Sequence, residues 1–169
     1  MKNKGQTELS FGMIFSIMLI IVFLVLGFYI IYKFVGMSGD LNIETFTKNL
    51  QEDIDRMWSS PAGSWSPPEG YLADAKVEKI CFIDLNGSAT GTNKDLFREI
   101  DSSKAGRKPQ SMVFLPLKEL NYLTRELEHL NFEKTTAVEN PYCIDGRSGR
   151  FFLTVEKEIY ANNVIIKRQ

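Results

Sequence analysis

The chain has 169 residues, with 20 Lys+Arg against 21 Asp+Glu for a formal net charge of −1, 44% hydrophobic residues, two Cys and one His. That is room for one ordinary domain plus an appendage, and the near-balance of charge removes the long-range attraction on which a basic nucleic-acid binder depends, so no nucleic-acid partner is expected. Twelve Phe, six Tyr and two Trp supply enough apolar area to offset the entropy of ordering, which excludes a wholly disordered chain.

The chain opens Met1-Lys2-Asn3-Lys4-Gly5-Gln6-Thr7-Glu8-Leu9-Ser10, and from Leu9 to Tyr32 no residue carries a charge. At about 1.5 Å per residue, such a helix is long enough for a hydrocarbon core of about 30 Å. It therefore reads as a transmembrane helix, with a buried core helix as the alternative. A cleaved secretory signal has a shorter apolar stretch, of about 7–15 residues, followed by a small-residue cleavage site. Tyr29-Ile30-Ile31-Tyr32-Lys33-Phe34 offers no such site, and Tyr29 and Tyr32 suit the headgroup level at one end of a span. Lys2 and Lys4 precede the span, whereas Asp40 and Glu44 are the first charges beyond Lys33. The positive-inside bias then puts the amino terminus in the cytoplasm and everything after about Gly36 outside.

A short basic leader ending in Lys-Gly, a polar Gln-Thr-Glu and an immediate long apolar helix resemble the class III signal peptides of type IV pilin-like proteins, the archaeal ones in particular. The resemblance covers about the first thirty residues. It implies that a prepilin-type signal peptidase cuts between Gly5 and Gln6 on the cytoplasmic side, so that the helix stays in the mature protein. It also implies that identical or related subunits polymerise through that helix into an extracellular filament. A glycine at the cut lets the backbone lie extended in a protease groove. The Glu8 carboxylate would neutralise the new Gln6 amine or that of a neighbouring subunit, since an uncompensated charge in a helical bundle costs several kcal/mol. Many pilins have their acid at the fifth mature position; here Ser10 is fifth and Glu8 third. Within the helix, Gly12 and Ser16 lie four apart on one face and form a small-xxx-small pair for close helix approach. The alternative is a single-pass signal-anchored surface protein with an extracellular binding domain.

Gly36-Met37-Ser38-Gly39 reads as an interruption of the helix, with Asp40 as the N-cap of the next one. Phe46, Leu50, Ile54 and Met57 then recur at helical spacing, leaving Glu44, Lys48, Glu52, Asp53 and Asp55 for other faces. Residues 59–70, with three Pro and two Gly, read as a loop that neither helix nor ladder crosses, with Trp65 and Tyr71 tucked beneath it. Lys76 to Leu85 reads as a strand closed by the Asn86-Gly87 turn signal. Asn86-Gly87-Ser88 is also an N-glycosylation sequon, with a plain turn as the alternative.

Residues 93–101 read as a short helix capped by Thr92 or Asn93, and 102–110 as a solvated basic loop. Met112 to Leu117 reads as a strand with Pro116 at its end or at a sheet edge. Leu120, Leu123, Leu127 and Leu130 put a helix over 118–130, with His129 on its surface. Tyr142–Asp145 and Arg150–Val155 flank Gly146-Arg147-Ser148-Gly149 as a hairpin, and Val164–Ile166 is a last strand. A hairpin lying beside the earlier strand would bring Cys143 to Cys81. Pairing in an oxidising compartment would stabilise the fold by roughly 3–5 kcal/mol; the alternative is two reduced, buried cysteines.

The expected fold class is thus α+β: a long N-terminal transmembrane and stalk helix bearing a small, mostly antiparallel sheet head with two short helices. Its expected parts are a leader (1–5), a transmembrane and assembly helix (6–36), an amphipathic stalk helix (40–58), a loop (59–73) and the head (74–169). No catalytic template assembles from one His, no phosphate-binding loop and no metal-ligand cluster, so neither enzyme activity nor a cofactor is expected.

Overall fold

The computed structural model describes residues 11–102, 108–116 and 124–169, of which 11 and 34–41 are described by their backbone. The chain divides into two compact units, Met1–Ser38 and Gly39–Gln169. In the first, the described residues belong to helix α1 (Phe11–Trp58), whose segment Gly12–Lys33 is long and apolar enough to cross a membrane. Residues 36–39 are helical, so the expected interruption is absent and Asp40 is not an N-cap. Glycine lowers helix stability by only about 1 kcal/mol per residue, whereas breaking a helix orphans a fresh set of backbone groups at two new ends.

In the second unit, the part of α1 beyond Asn42 buries Ile43, Phe46, Leu50, Ile54 and Met57, the expected stripe extended by one turn. Phe46 is its centre: its ring meets Tyr71, Phe114 and Phe151 edge-on with centroids 5.7, 5.7 and 5.8 Å away, the geometry that the aromatic quadrupole favours.

Three strands form the middle of the unit: β3 (Lys79–Asp84), β4 (Gln110–Leu115) and β6 (Tyr142–Asp145), joined at one edge by β5 (Thr124–Arg125) in the order β5-β4-β3-β6. All these pairings are antiparallel. Both faces of this sheet are covered. Ile80, Phe82, Met112, Phe114 and Ile144 pack with the α1 stripe, while Cys81, Ile83, Val113, Leu115 and Cys143 pack with Ile100 of helix α2 (Lys94–Ser102). That two-sided burial is why β3 and β4 read as continuous apolar runs and not as an alternating pattern. Pro116 falls just beyond β4, at a strand end as expected.

Several expectations are corrected. The 59–73 segment contains two short strands, β1 (Gly63–Trp65) and β2 (Tyr71–Leu72), which pair with later segments of the chain. Such short strands need few ladder bonds, and Pro67 and Pro68 stand between them. The 118–130 helix is not formed over its described part: Thr124–Arg125 is strand β5 and His129 has φ 60°, a left-handed conformation that no α-helix interior accepts. Residues 118–123 lie outside the described residues. A second short helix, α3, occurs instead at Phe132–Thr135, with Asn131 Oδ1 accepting from the Lys134 amide.

The expected hairpin is also corrected. Arg147 and Arg150 exchange backbone hydrogen bonds of 2.8 and 3.0 Å around Ser148 and Gly149, whose φ values of 53° and 74° give a tight primed turn. The flanking strands nevertheless part: β6 pairs with β3, β7 (Arg150–Phe151) with β2, and β8 (Leu153–Lys157) with β1 and with β9 (Ile165–Arg168). Phe151, Leu153, Val155 and Ile166 bring these smaller sheets onto the same core as Phe46.

Candidate functional site

The segment Gly12–Lys33 is the first candidate, and none of it is buried within the protein. Ile, Leu, Val and Phe side chains point outward all round it; Phe23 and Phe28 are 68% and 71% exposed. On the face carrying Gly12 and Ser16, the Ser16 hydroxyl donates to the Gly12 carbonyl at 2.8 Å. A polar group that would be costly in an apolar surround is thereby satisfied inside its own helix. Gly5, Gln6 and Glu8 lie outside the described residues.

Cys81 and Cys143 are register partners on β3 and β6 and form a disulfide with both residues buried. The hydrophobic cluster of Ile83, Ile100, Val113 and Leu115 encloses it, so a reductant reaches it only when the sheet opens. Asn86 is exposed on the Asp84–Gly87 turn, where the Gly87 amide donates to the Asp84 carbonyl at 3.2 Å.

A second group of polar residues holds the C-terminal strand. The Glu139 carboxylate accepts from Thr92 Oγ1 at 2.5 Å, Asn93 Nδ2 at 2.7 Å and the Arg168 guanidinium at 2.6 Å. Burial pushes this carboxyl up, but hydrogen bonds from Thr92 and Arg168, with the arginine's charge, outweigh it and hold the group below its ordinary value. Thr92 and Asn93, either of which the sequence offers as the cap of α2, both donate to Glu139. Gly91, at φ +77°, lets the loop come this close: a Cβ there would stand 2.5 Å from Glu139 Cγ. Arg168 also donates from Nε to the Cys143 carbonyl at 2.9 Å and lies over the Tyr142 ring, 4.7 Å from its centroid. One arginine therefore ties β9 to both the disulfide strand and the Glu139 loop.

Beside it, Asn140 Nδ2 donates to the Asp84 and Ser88 carbonyls, and Asn140 Oδ1 accepts from the Asp84 amide. Asp84 Oδ2 accepts from Gln110 Nε2 at 2.9 Å.

The carboxyl end of α1 carries a third group. Lys157 Nζ donates to the Trp58 and Ser60 carbonyls, placing a cation where the helix dipole is negative. The indole of Trp58 stacks on the His129 ring at 3.8 Å and 12°. Gln51 grips the Glu128 backbone from both sides, accepting from its amide at 2.9 Å and donating to its carbonyl at 3.3 Å. Asp53, expected on a wet face, is buried and accepts from the Tyr71 hydroxyl at 2.7 Å. Burial, then that hydrogen bond and the nearby carboxylate charge, raise the Tyr71 hydroxyl far above its ordinary value, so it stays a donor. Trp65, expected under its loop, is exposed, with the Arg56 guanidinium 5.4 Å from its ring centre.

Among the described residues, no three His, Cys, Asp or Glu side chains converge as metal ligands. His129 is engaged by the ring of Trp58. One surface cleft is lined by Asn131, Lys134, Glu158, Asn162 and Asn163, two of which form the Lys134–Glu158 ion pair at 2.8 Å. The arrangement provides an outward-facing apolar helix and a braced, disulfide-bonded head. Sequence reasoning found the cysteines, the helix and the burial of Tyr71 but missed Glu139, Arg168, Lys157 and the bond from Tyr71 to Asp53. Each acts on a partner remote in sequence.

Comparisons with protein-family models, with characterised proteins and with solved structures find no match to this chain.

Proposed function

We propose that the chain is a pilin-like structural subunit: its leader is removed between Gly5 and Gln6 by a prepilin-type signal peptidase, and it polymerises through its N-terminal helix into an extracellular filament. One observation carries the reading. Gly12–Lys33 is long and apolar enough to cross a membrane, and none of its residues is buried among the described residues. Such a surface must be covered by lipid or by other copies. A helix made only to hold a domain in place could end at the bilayer. Here it opens with the Lys-Gly-Gln-Thr-Glu pattern of a chain cut on its cytoplasmic side, which keeps the whole apolar rod for assembly.

The positive flank at Lys2 and Lys4 supports a cytoplasmic amino terminus and an extracellular head. The disulfide suits that oxidising side. The polar groups of the head brace strands and helix ends, which supports a structural role without chemistry of its own.

Amino-terminal sequencing and intact mass of the protein from native membranes test the reading. Gln6 as the mature terminus is expected, and Gly5→Trp should leave the leader attached. A native protein that retains Met1 or Lys2 and remains monodisperse in detergent overturns it in favour of a signal-anchored surface protein.

A further inference from the structure

The one Asn-X-Ser/Thr sequence in the chain without Pro at X is Asn86-Gly87-Ser88, and its setting in the fold goes beyond the chance occurrence of a tripeptide. We propose that Asn86 is a site of N-linked glycosylation, and that the loop between β3 and α2 faces water in the assembled protein. The inference rests on the outward placement of the head argued above.

Three features of the turn carry it. First, the sequon follows a strand buried from Ile80 to Asp84, yet Asn86, Gly87 and Ser88 are all exposed. Second, its backbone is held from below: the Asn86 amide donates to Asp84 Oδ1 at 3.0 Å, the Gly87 amide to the Asp84 carbonyl at 3.2 Å, and Asn140 Nδ2 to the Ser88 carbonyl at 3.3 Å. Glycine at the middle position permits this approach, since a Cβ on Gly87 would lie 3.2 Å from Asn140 Nδ2. Third, every one of those contacts uses backbone. Among the described residues neither the side-chain carboxamide of Asn86 nor the Ser88 hydroxyl makes a hydrogen bond, so the acceptor nitrogen and the hydroxyl that specifies it are both presented outward.

The modification is a group transfer from a lipid-linked sugar phosphate or pyrophosphate. A bond forms between Asn86 Nδ2 and the anomeric carbon. The carbon–oxygen bond to phosphate breaks with its electron pair remaining on the phosphate, and the proton lost from Nδ2 passes to a base of the transferase. A hydrated glycan on this loop excludes it from any dry contact between subunits.

The test is glycopeptide mass spectrometry on protein purified from its native host, with digestion of intact cells by an external protease as a parallel measurement. A sugar mass on the Asn86 peptide is expected. It should be lost in both Asn86→Gln and Ser88→Ala and kept in Ser88→Thr, with thermal midpoints of the unmodified full chains in detergent within about 2 °C of each other, because none of these side chains supports the fold. An Asn86 peptide that is unmodified, or only deamidated, overturns the proposal. If the head is cut from outside, the site itself is refuted and the topology stands; if it is protected, the outward placement has failed.

Discussion

Opening the Cys81–Cys143 bond offers a sharp measure of how the head is held. The two residues are 62 apart in sequence. Closing a loop of that length removes unfolded-chain entropy worth about 4 kcal/mol at 25 °C in the chain-entropy treatment. The head is close to 130 residues long, a size at which 1 kcal/mol moves the thermal midpoint by roughly 3–5 °C, so losing the bond should cost about 12–20 °C. Each sulfur also fills space in the cluster with Ile83, Ile100, Val113 and Leu115, so truncation to Ala adds a packing loss of about 1 kcal/mol per site.

Two contributions that differ in their additivity can be separated by a cycle of Cys81→Ala, Cys143→Ala and the double variant, measured on the full chain in detergent by near-ultraviolet circular dichroism. Either single substitution already abolishes loop closure. The double variant should therefore be only slightly less stable than the singles, with a coupling of about 4 kcal/mol. Singles that lose about 1 kcal/mol each and sum to the double would show that the cysteines contribute packing alone, and the loop argument would fail.

Glu139→Gln should destabilise the head by about 1–2 kcal/mol at pH 7, a charge-assisted network discounted for an Arg168 side chain that is 49% exposed. Because the folded carboxyl lies below its ordinary value of 4.5, that stability is complete above the unfolded value and is lost as pH falls through the folded one. Chemical denaturation of both proteins from pH 7 down to pH 3 should show the gap closing, and a constant gap refutes the assignment. Ser111 is 2% exposed and its buried hydroxyl has no hydrogen-bond partner among the described residues, so Ser111→Ala should leave stability unchanged or raise it by up to about 1 kcal/mol in the same denaturation assay.

Phe46, Leu50, Ile54 and Met57 were legible because helical burial repeats every three to four residues and each residue declares its own face. The pairing of Cys81 with Cys143 was legible only as a possibility, since register is a non-local property that the β3–β6 ladder decides. The expected 118–130 helix misread Leu127 and Leu130. Both are buried, but they reach the core from a turn in which His129 takes a left-handed conformation, and spacing by three fits such a turn as well as a helix. The hairpin misread a correct turn: Ser148-Gly149 reverses the chain, yet the partners of β7 and β8 are β2 and β1, from a stretch whose Pro and Gly content hid its strands. Glu139 was invisible for the same reason. Its three donors come from Thr92, Asn93 and Arg168, and nothing within a few residues of it announces them.

The assembly step of the proposed filament has its own energetic logic. An apolar helix gains nothing from the hydrophobic effect on leaving lipid for a bundle of identical helices, because acyl chains are as apolar as leucine; association must come from close packing. Gly12 and Ser16 offer the means, and the Ser16 hydroxyl, turned back onto the Gly12 carbonyl at 2.8 Å, leaves the face small and without an unpaired donor. Gly12→Leu keeps the segment apolar, so insertion and removal of the leader should proceed as in the native chain. The added side chain would hold a neighbouring helix away, and dispersion contacts fall steeply with even a 1 Å gap. Electron microscopy of sheared surface material, alongside amino-terminal sequencing of the membrane fraction, should find processed subunits and few or no filaments. Normal filament yield from the processed variant would remove Gly12 from the packing face and leave the polymer, if one forms, to be held by other parts of the helix.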